Sequence, residues 1–414
     1  MWSNVFSKAR PILLILLVVV AVFLTGRVLV GAPASFLQQI NFSYVQHTTP
    51  APARVYRLLN GKTASLSWIV GRDCQQGMRA YLQTAGTDPD AALVGPGWVD
   101  PTNGHLINGQ SNNCVPGSLS MDNVVQLVHS KGGMAYLTIT MKTDGTAQAW
   151  TSQQAAAYVD QATTNQDYID SIVHEVLRAN YDGVIMDLEG IDRTYPSIQQ
   201  LFATYNQHLW TALRPLHKFY GIALLHKLSV HDDYYDLNGF ENWSLLAHAA
   251  DFIVIMAVDQ SYFTPGPTVS IPWLNQLLAY ALQNMPDMLP HIIWELPLYG
   301  DTWHWENGGW VYDGGVSYQA EQTIINQLTP VQIDQANSNL HDLYAPHVVY
   351  TDTSGVKHSL WPLTGKNLYY IIVGFWQALE QVPQFADGRL QIAVWYRTTL
   401  EPQDFWSLLN TLYH

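Results

Sequence analysis

Apolar runs of four to six residues alternate along this chain with longer stretches in which apolar side chains recur at helical spacing. The runs are Leu66–Val70, Ala91–Val94, Met134–Ile139, Gly183–Met186, Ile222–Leu225, Phe252–Met256, Ile292–Leu296 and Ile392–Trp395. Each is too short for a typical helix and apolar on both faces, as a strand covered on both sides reads. Between them, helical patterning marks Met121–Ser130, Ser152–Ala179, Ser197–Lys218 and Pro272–Asn284.

A strand-helix unit repeated in this way predicts a parallel sheet, and eight units in about 350 residues predict an α/β fold closed into a (β/α)8 TIM barrel. An open, doubly wound sheet would want a Gly-rich phosphate loop after an early strand, and the chain has none. About 95 residues separate the seventh and eighth runs. That gap predicts a small inserted subdomain at about 304–388, with turns at Gly308-Gly309 and Gly314-Gly315, an extended segment near Val348–Thr351 and a helix around Asn367–Glu380.

The N-terminal pattern differs. Lys8 and Arg10 precede an uncharged apolar run, Ile12–Leu24, and Arg27 follows it, so residues 1–34 read as an export segment. Cleavage after Ala32-Pro33-Ala34 is one outcome; the other is a retained transmembrane anchor, because Ile12–Gly31, broken only by Arg27, is about long enough to span a bilayer. The preceding positive charge places the remainder of the chain outside the membrane. Residues 35–61 form a linker containing the stiff spacer Thr48–Ala53, and the folded domain covers 62–414.

Composition narrows the partners. Charged residues are 13% of the chain, about half the usual share, and the formal charge is −14. This excludes nucleic acid and an anionic membrane surface as main partners and favours a neutral one, leaving membrane contact to the N-terminal segment; a monomer is expected. Fifteen Trp and 23 Tyr suit sugar faces as well as an ordinary core. In an exported chain the two cysteines, Cys74 and Cys114, are expected to pair, two free thiols being the alternative, and they are too few for a cysteine-based metal site. The 15 His, among them His226 and His231 beyond the fifth run, show no HxH, HExxH or two-His-carboxylate spacing, so neither metal nor cofactor is expected.

The candidate chemistry is concentrated in Asp182-Gly183-Val184-Ile185-Met186-Asp187-Leu188-Glu189, at the end of the fourth run. Alternate side chains of a strand share a face, so Asp187 and Glu189 emerge together with Ile185 below them. Two adjacent carboxyls that cannot ionise freely together divide into an acid and a charged stabiliser.

This Asp-Gly-x-x-x-Asp-x-Glu segment resembles the signature of family 18 glycoside hydrolases, the chitinase-like family. Three later segments resemble that family's strands in the same order. FIVIMAVDQ (Phe252–Gln260) is similar to a sixth strand ending Met-x-Tyr-Asp, and LPLYGDTW (Leu296–Trp303) to a seventh reading Pro-x-Tyr-Gly with a nearby Trp. IAVWYRTTLEPQDFW (Ile392–Trp406) is similar to the eighth strand with its Trp, as in exported bacterial members that act on cell-surface glycans.

The resemblance implies an exported glycosidase that cleaves a polysaccharide or oligosaccharide of N-acetylhexosamine, peptidoglycan or chitin-like. Catalysis would be retaining, with the substrate's own acetamido group as nucleophile. It makes Glu189 the general acid and base, and Asp187 the group that orients the acetamido N–H. Met256, Asp259 and Tyr299 become substrate-side residues, Trp395 the floor beneath the sugar, and Trp98 and Trp303 extensions of the groove. Asp182 and Gly183 are structural in this reading. Two positions depart from the pattern: Ile185 stands where Asp or Asn partners Asp187, and Val258 where a Tyr donates to the acetamido oxygen. They keep open a second reading, a non-catalytic, lectin-like glycan binder on the same fold.

Overall fold

A computed structural model describes residues 65–69, 74–84, 91–99, 106–107, 121–141, 150–232, 238–385, 390–396, 402 and 404–413. The export segment, the linker and Cys114 lie outside the described residues, as does the side chain of Cys74, so the expected pairing does too.

Eight parallel strands close a ring. They are β1 (Ser65–Ile69), β2 (Ala91–Val99), β4 (Met134–Thr140), β5 (Gly183–Asp187), β6 (Phe219–Leu225), β7 (Phe252–Met256), β8 (Ile292–Pro297) and β13 (Gln391–Trp395). Their order is β1-β13-β8-β7-β6-β5-β4-β2, and β1 also pairs with β2, which closes the sheet on itself. A short β3 (Leu106–Ile107) runs antiparallel to the end of β2. All eight expected runs are therefore barrel strands.

Period-2 alternation sorts the strand side chains into two apolar sets. Ile185, Val254, Ile293 and Ala393 point into the barrel, whereas Val184, Met186, Ile253, Trp294 and Val394 pack outwards beneath the helices. The outer set meets helices such as α2 (Met121–Ser130), α5 (Ile198–Leu213), α7 (Ile271–Asn284) and α9 (Gly365–Leu379).

The stretch Ser152–Ala179, expected as one helix, is two: α3 (Ser152–Ala162) and α4 (Gln166–Arg178). The break at Thr163–Asn165 has a local cause. Asn165 takes an extended backbone and its side chain accepts from the Asp167 N–H, so it starts a new helix instead of continuing the old one. Likewise α5 ends at Leu213, where Pro215 turns the chain into a short 3-10 segment, Arg214–Leu216.

Between β8 and β13 lies a second, antiparallel sheet of β9 (Tyr299–Glu306), β10 (Gly309–Ser317), β11 (Val348–Thr351) and β12 (Lys357–Trp361), in the order β10-β9-β12-β11. Asn307 and Gly308, both at positive φ, make the two-residue turn of the β9–β10 hairpin. Because β9 begins only two residues after β8, the Tyr-Gly pair of the seventh-strand motif belongs to this sheet and joins it to the barrel mouth.

Candidate active site

The start of β5 is built as a wall. Asp182 accepts hydrogen bonds from the Ala135 N–H at 2.7 Å and from the His129 ring at 2.8 Å, which tie β5 to β4 and α2. A Cβ on Gly183 would stand 2.3 Å from the Phe219 carbonyl and 2.8 Å from the Tyr136 ring, so only glycine lets β6 approach here. Ile185, fully buried, fills the barrel interior one step above. Asp187 then closes the strand on the same inner side, and Glu189 follows just past its end.

The two carboxyls are partly exposed at the mouth and feel one another. Burial pushes the Glu189 carboxyl up to about 7, with the charge of Asp259 adding to it. Burial also holds Asp187 well above the usual carboxylate range, and the Glu189 charge adds to that. The Oδ1 atom of Asp187 is buried without a hydrogen-bond partner, the direct consequence of an isoleucine below it. A carboxyl near 7 can give a proton and take it back at neutral pH, which is what a group acting as acid and then base requires.

Asp259 sits just beyond β7 at φ +57, a left-handed turn that lifts its carboxyl towards the mouth. The Tyr299 hydroxyl donates to its Oδ1 at 2.6 Å. Burial raises the Asp259 carboxyl and this hydrogen bond works against the rise. Met256, at the end of β7, and Val258 after it are buried among the inward apolar side chains. Trp395 ends β13, partly exposed, with its ring edge-on to Trp68 at 5.5 Å and 5.4 Å from Tyr396.

Thus Asp187, Glu189, Asp259, Tyr299 and Trp395 come together at the C-terminal ends of the barrel strands, where such barrels carry their sites. Trp303 does not line the groove as expected. It is fully buried in β9, its Nε1 donating to the Tyr262 carbonyl at 3.0 Å and its ring 5.4 Å from Tyr312. Its role is to support the exposed pair Tyr262 and Phe263 from behind. Trp98 is in β2 opposite Ile107, and its side chain lies outside the description.

Four further charged groups surround this cluster. Glu295, on the inner side of β8, accepts from Trp68 Nε1. Asp301 is buried, accepts from Thr268 at 2.6 Å and Tyr312 at 2.7 Å, and is pushed by burial up to about 7. Glu241 and Lys227 are buried beyond β6, Lys227 donating to the Glu241 carbonyl at 2.7 Å. An acid inside an apolar strand, as in Ile292-Ile293-Trp294-Glu295-Leu296, is the signal that would have found Glu295.

No family model matches the sequence, and no curated protein matches it. Solved structures do match. A chitinase from Chromobacterium violaceum is 17% identical, covers 87% of this chain and 98% of its own, and has a TM-score of 0.64. The spore cortex-lytic enzyme SleL of Bacillus cereus is also 17% identical, with 90% and 77% covered and a TM-score of 0.68. The chitinase ChiB of Flavobacterium johnsoniae, described as GH18, is 14% identical, with 87% and 94% covered and a TM-score of 0.52. The fold is that of the chitinase-like glycoside hydrolases. In such a chitinase-like barrel, the fourth parallel strand of the chain is the one that ends at Asp187.

Proposed function

We propose that this chain is a glycosidase that cleaves glycans of N-acetylhexosamine with retention, using the substrate's acetamido group as nucleophile. The observation that carries the reading is the pair at the end of β5: Glu189, with its proton affinity raised to about 7, beside Asp187 at a barrel mouth with an aromatic floor. The likeness to chitinases and to a spore cortex-lytic enzyme supports glycan hydrolysis.

Glu189 gives its proton to the glycosidic oxygen as the bond to the anomeric carbon breaks, and the acetamido oxygen closes on that carbon from the opposite face. Asp187, as a carboxylate, accepts the acetamido N–H and balances the positive oxazolinium ring. Water then adds from the face that the leaving group vacated, Glu189 takes its proton, and the configuration is retained. Trp395 offers its ring beneath the sugar. No cofactor takes part. Where Val258 replaces the tyrosine of the related pattern, the acetamido oxygen loses a donor, which is worth on the order of 1–3 kcal/mol.

The substrate is an extracellular polymer such as peptidoglycan or a chitin-like chain. The charge pattern around Ile12–Leu24 supports export, with residues 62–414 outside the membrane and residues 1–34 either removed or kept as an anchor.

The test compares the protein with Glu189→Gln on N-acetylglucosamine oligomers and on peptidoglycan. Product from the unaltered chain and at least ~100-fold less from the variant, with binding kept, is expected. Equal, negligible product from both with retained binding would replace the enzyme by a lectin-like binder.

A further inference from the structure

Glu295 is the acid the proposed reaction does not use, and its placement is unusual. It occurs in the middle of the run Ile292–Pro297 and is 1% exposed. Its neighbours Trp294 and Leu296 face the helices, whereas Ile293, two positions earlier, packs inside the barrel, so Glu295 shares the inner side. In register it lies beside Met256 of β7 and Ala393 of β13, both inward-facing. Trp68, from β1, donates its Nε1 hydrogen to Oε2 and fixes the carboxyl's position.

Around the ring, β8 and β5 are separated by two strands, β7 and β6. From β5, Asp187 and Glu189 act on Glu295 electrostatically, and from the turn after β7 Asp259 does so. Beyond β6, Glu241 and its partner Lys227 complete the charged groups near the mouth, and Glu241 in turn feels Asp187 and Glu189. Directly below Asp187 there is only Ile185, and Asp187 Oδ1 has no partner. A buried carboxyl with no donor beneath it takes its charge state from its charged neighbours.

We propose that Glu295 is a positioning residue that shares protons with Asp187 and Glu189, reaching the pair from two strands beyond β5's neighbour and replacing the polar side chain that position 185 lacks. The inference rests on the reading of Asp187 and Glu189 as the reacting pair. Burial keeps Glu295 protonated well above the usual carboxylate range, with the Asp187 charge adding to this and the Trp68 hydrogen bond opposing it. A neutral Glu295 leaves Asp187 free to carry the single negative charge needed beside a cationic intermediate. As pH rises, each charge that Glu295 takes on holds the Glu189 proton to higher pH, so three carboxyls titrate as one unit.

The experiment titrates the Glu189 carboxyl by carbon-13 NMR in the full chain and records kcat/KM against pH on N-acetylglucosamine oligomers, for the unaltered protein, Glu295→Gln, Glu295→Asp and Trp68→Phe. Glu295→Gln should lower the Glu189 titration and the alkaline limb together by about half a pH unit or more. Trp68→Phe, which removes the donor that favours a charged Glu295, should move both in the same direction by less. Glu295→Asp, still titratable, should return the limb towards its original place.

The thermal midpoint separates this from a packing role. A packing defect lowers it equally at every pH, whereas the proposal requires the midpoint of Glu295→Gln to gain on the unaltered protein as pH rises from 5 to 8. An unmoved Glu189 titration in a folded Glu295→Gln overturns the inference. If the unaltered chain hydrolyses nothing but the Glu189 titration still moves, the catalytic reading fails and the three-carboxyl unit stands.

Discussion

The Tyr299 hydroxyl donates to Asp259 Oδ1 at 2.6 Å, joining the first strand of the second sheet to the turn that follows β7. Through Asp259 this bond reaches Glu189, because the Asp259 charge contributes to the raised Glu189 carboxyl. Removing the hydroxyl with Tyr299→Phe makes Asp259 harder to ionise, and less negative charge then holds the Glu189 proton. The alkaline limb of kcat/KM should move to lower pH by about 0.5 unit, measured across pH 5–9. A limb that moves up or stays in place contradicts the coupling.

Asp187 orients and balances charge without transferring the proton to the leaving group. Asp187→Asn keeps the shape but not the charge, so kcat should fall by roughly 100- to 1000-fold with a much smaller change in KM. Steady-state kinetics on oligomers of defined length measures the split. A rise in KM at constant kcat would make Asp187 a binding group only.

Stability should fall as the solution becomes alkaline. Glu189 and Asp301 are both raised to about 7, above their unfolded values of 4.5 and 3.8. A raised acid contributes stability in full below its unfolded value and loses it as pH rises through its folded value. His226, lowered by burial to about 4, acts in the opposite sense, its contribution being lost as pH falls below 6.5. With one histidine against several carboxyls, the thermal midpoint should drop by several degrees between pH 5 and 8, as calorimetry or circular dichroism would record. A midpoint that is flat or rises over that interval would mean that these acids are not held protonated by the fold.

Gly183→Ala places a methyl group 2.3 Å from the Phe219 carbonyl, where backbone must yield. The loss should be about 2–4 kcal/mol in denaturant unfolding, larger than for an exposed Gly→Ala change such as Gly309, which has nothing within 4 Å of the added carbon. Equal losses at the two sites would show that β5 and β6 tolerate separation at this point.

The barrel strands were legible because a parallel strand covered on both faces leaves an uninterrupted apolar run, and because the run ending at Asp187 places its acids by simple alternation. Asp259, Tyr299 and Trp395 were legible only through their resemblance to a known pattern, since nothing in local spacing brings three distant strand ends together. Trp303 misled for a physical reason: an indole behind a binding surface and one on it look alike in sequence, and only the fold shows that its Nε1 is committed to the Tyr262 carbonyl. The break between α3 and α4 was hidden because Thr163, Thr164 and Asn165 interrupt the helical pattern without a proline or glycine. Glu295 was in plain view as an acid within an apolar strand. Its meaning depends on which wall of the barrel faces Asp187, and that is a property of closure, not of the run itself.

Proton NMR of the reducing-end anomer in the first moments of hydrolysis of a β-linked N-acetylglucosamine oligomer tests the central claim most directly, run beside Glu189→Gln and beside an oligomer whose acetamido groups have been removed. The account predicts the β anomer first from the unaltered chain, and no product from the variant or from the deacetylated oligomer. First appearance of the α anomer, or equal cleavage of the deacetylated chain, would contradict it.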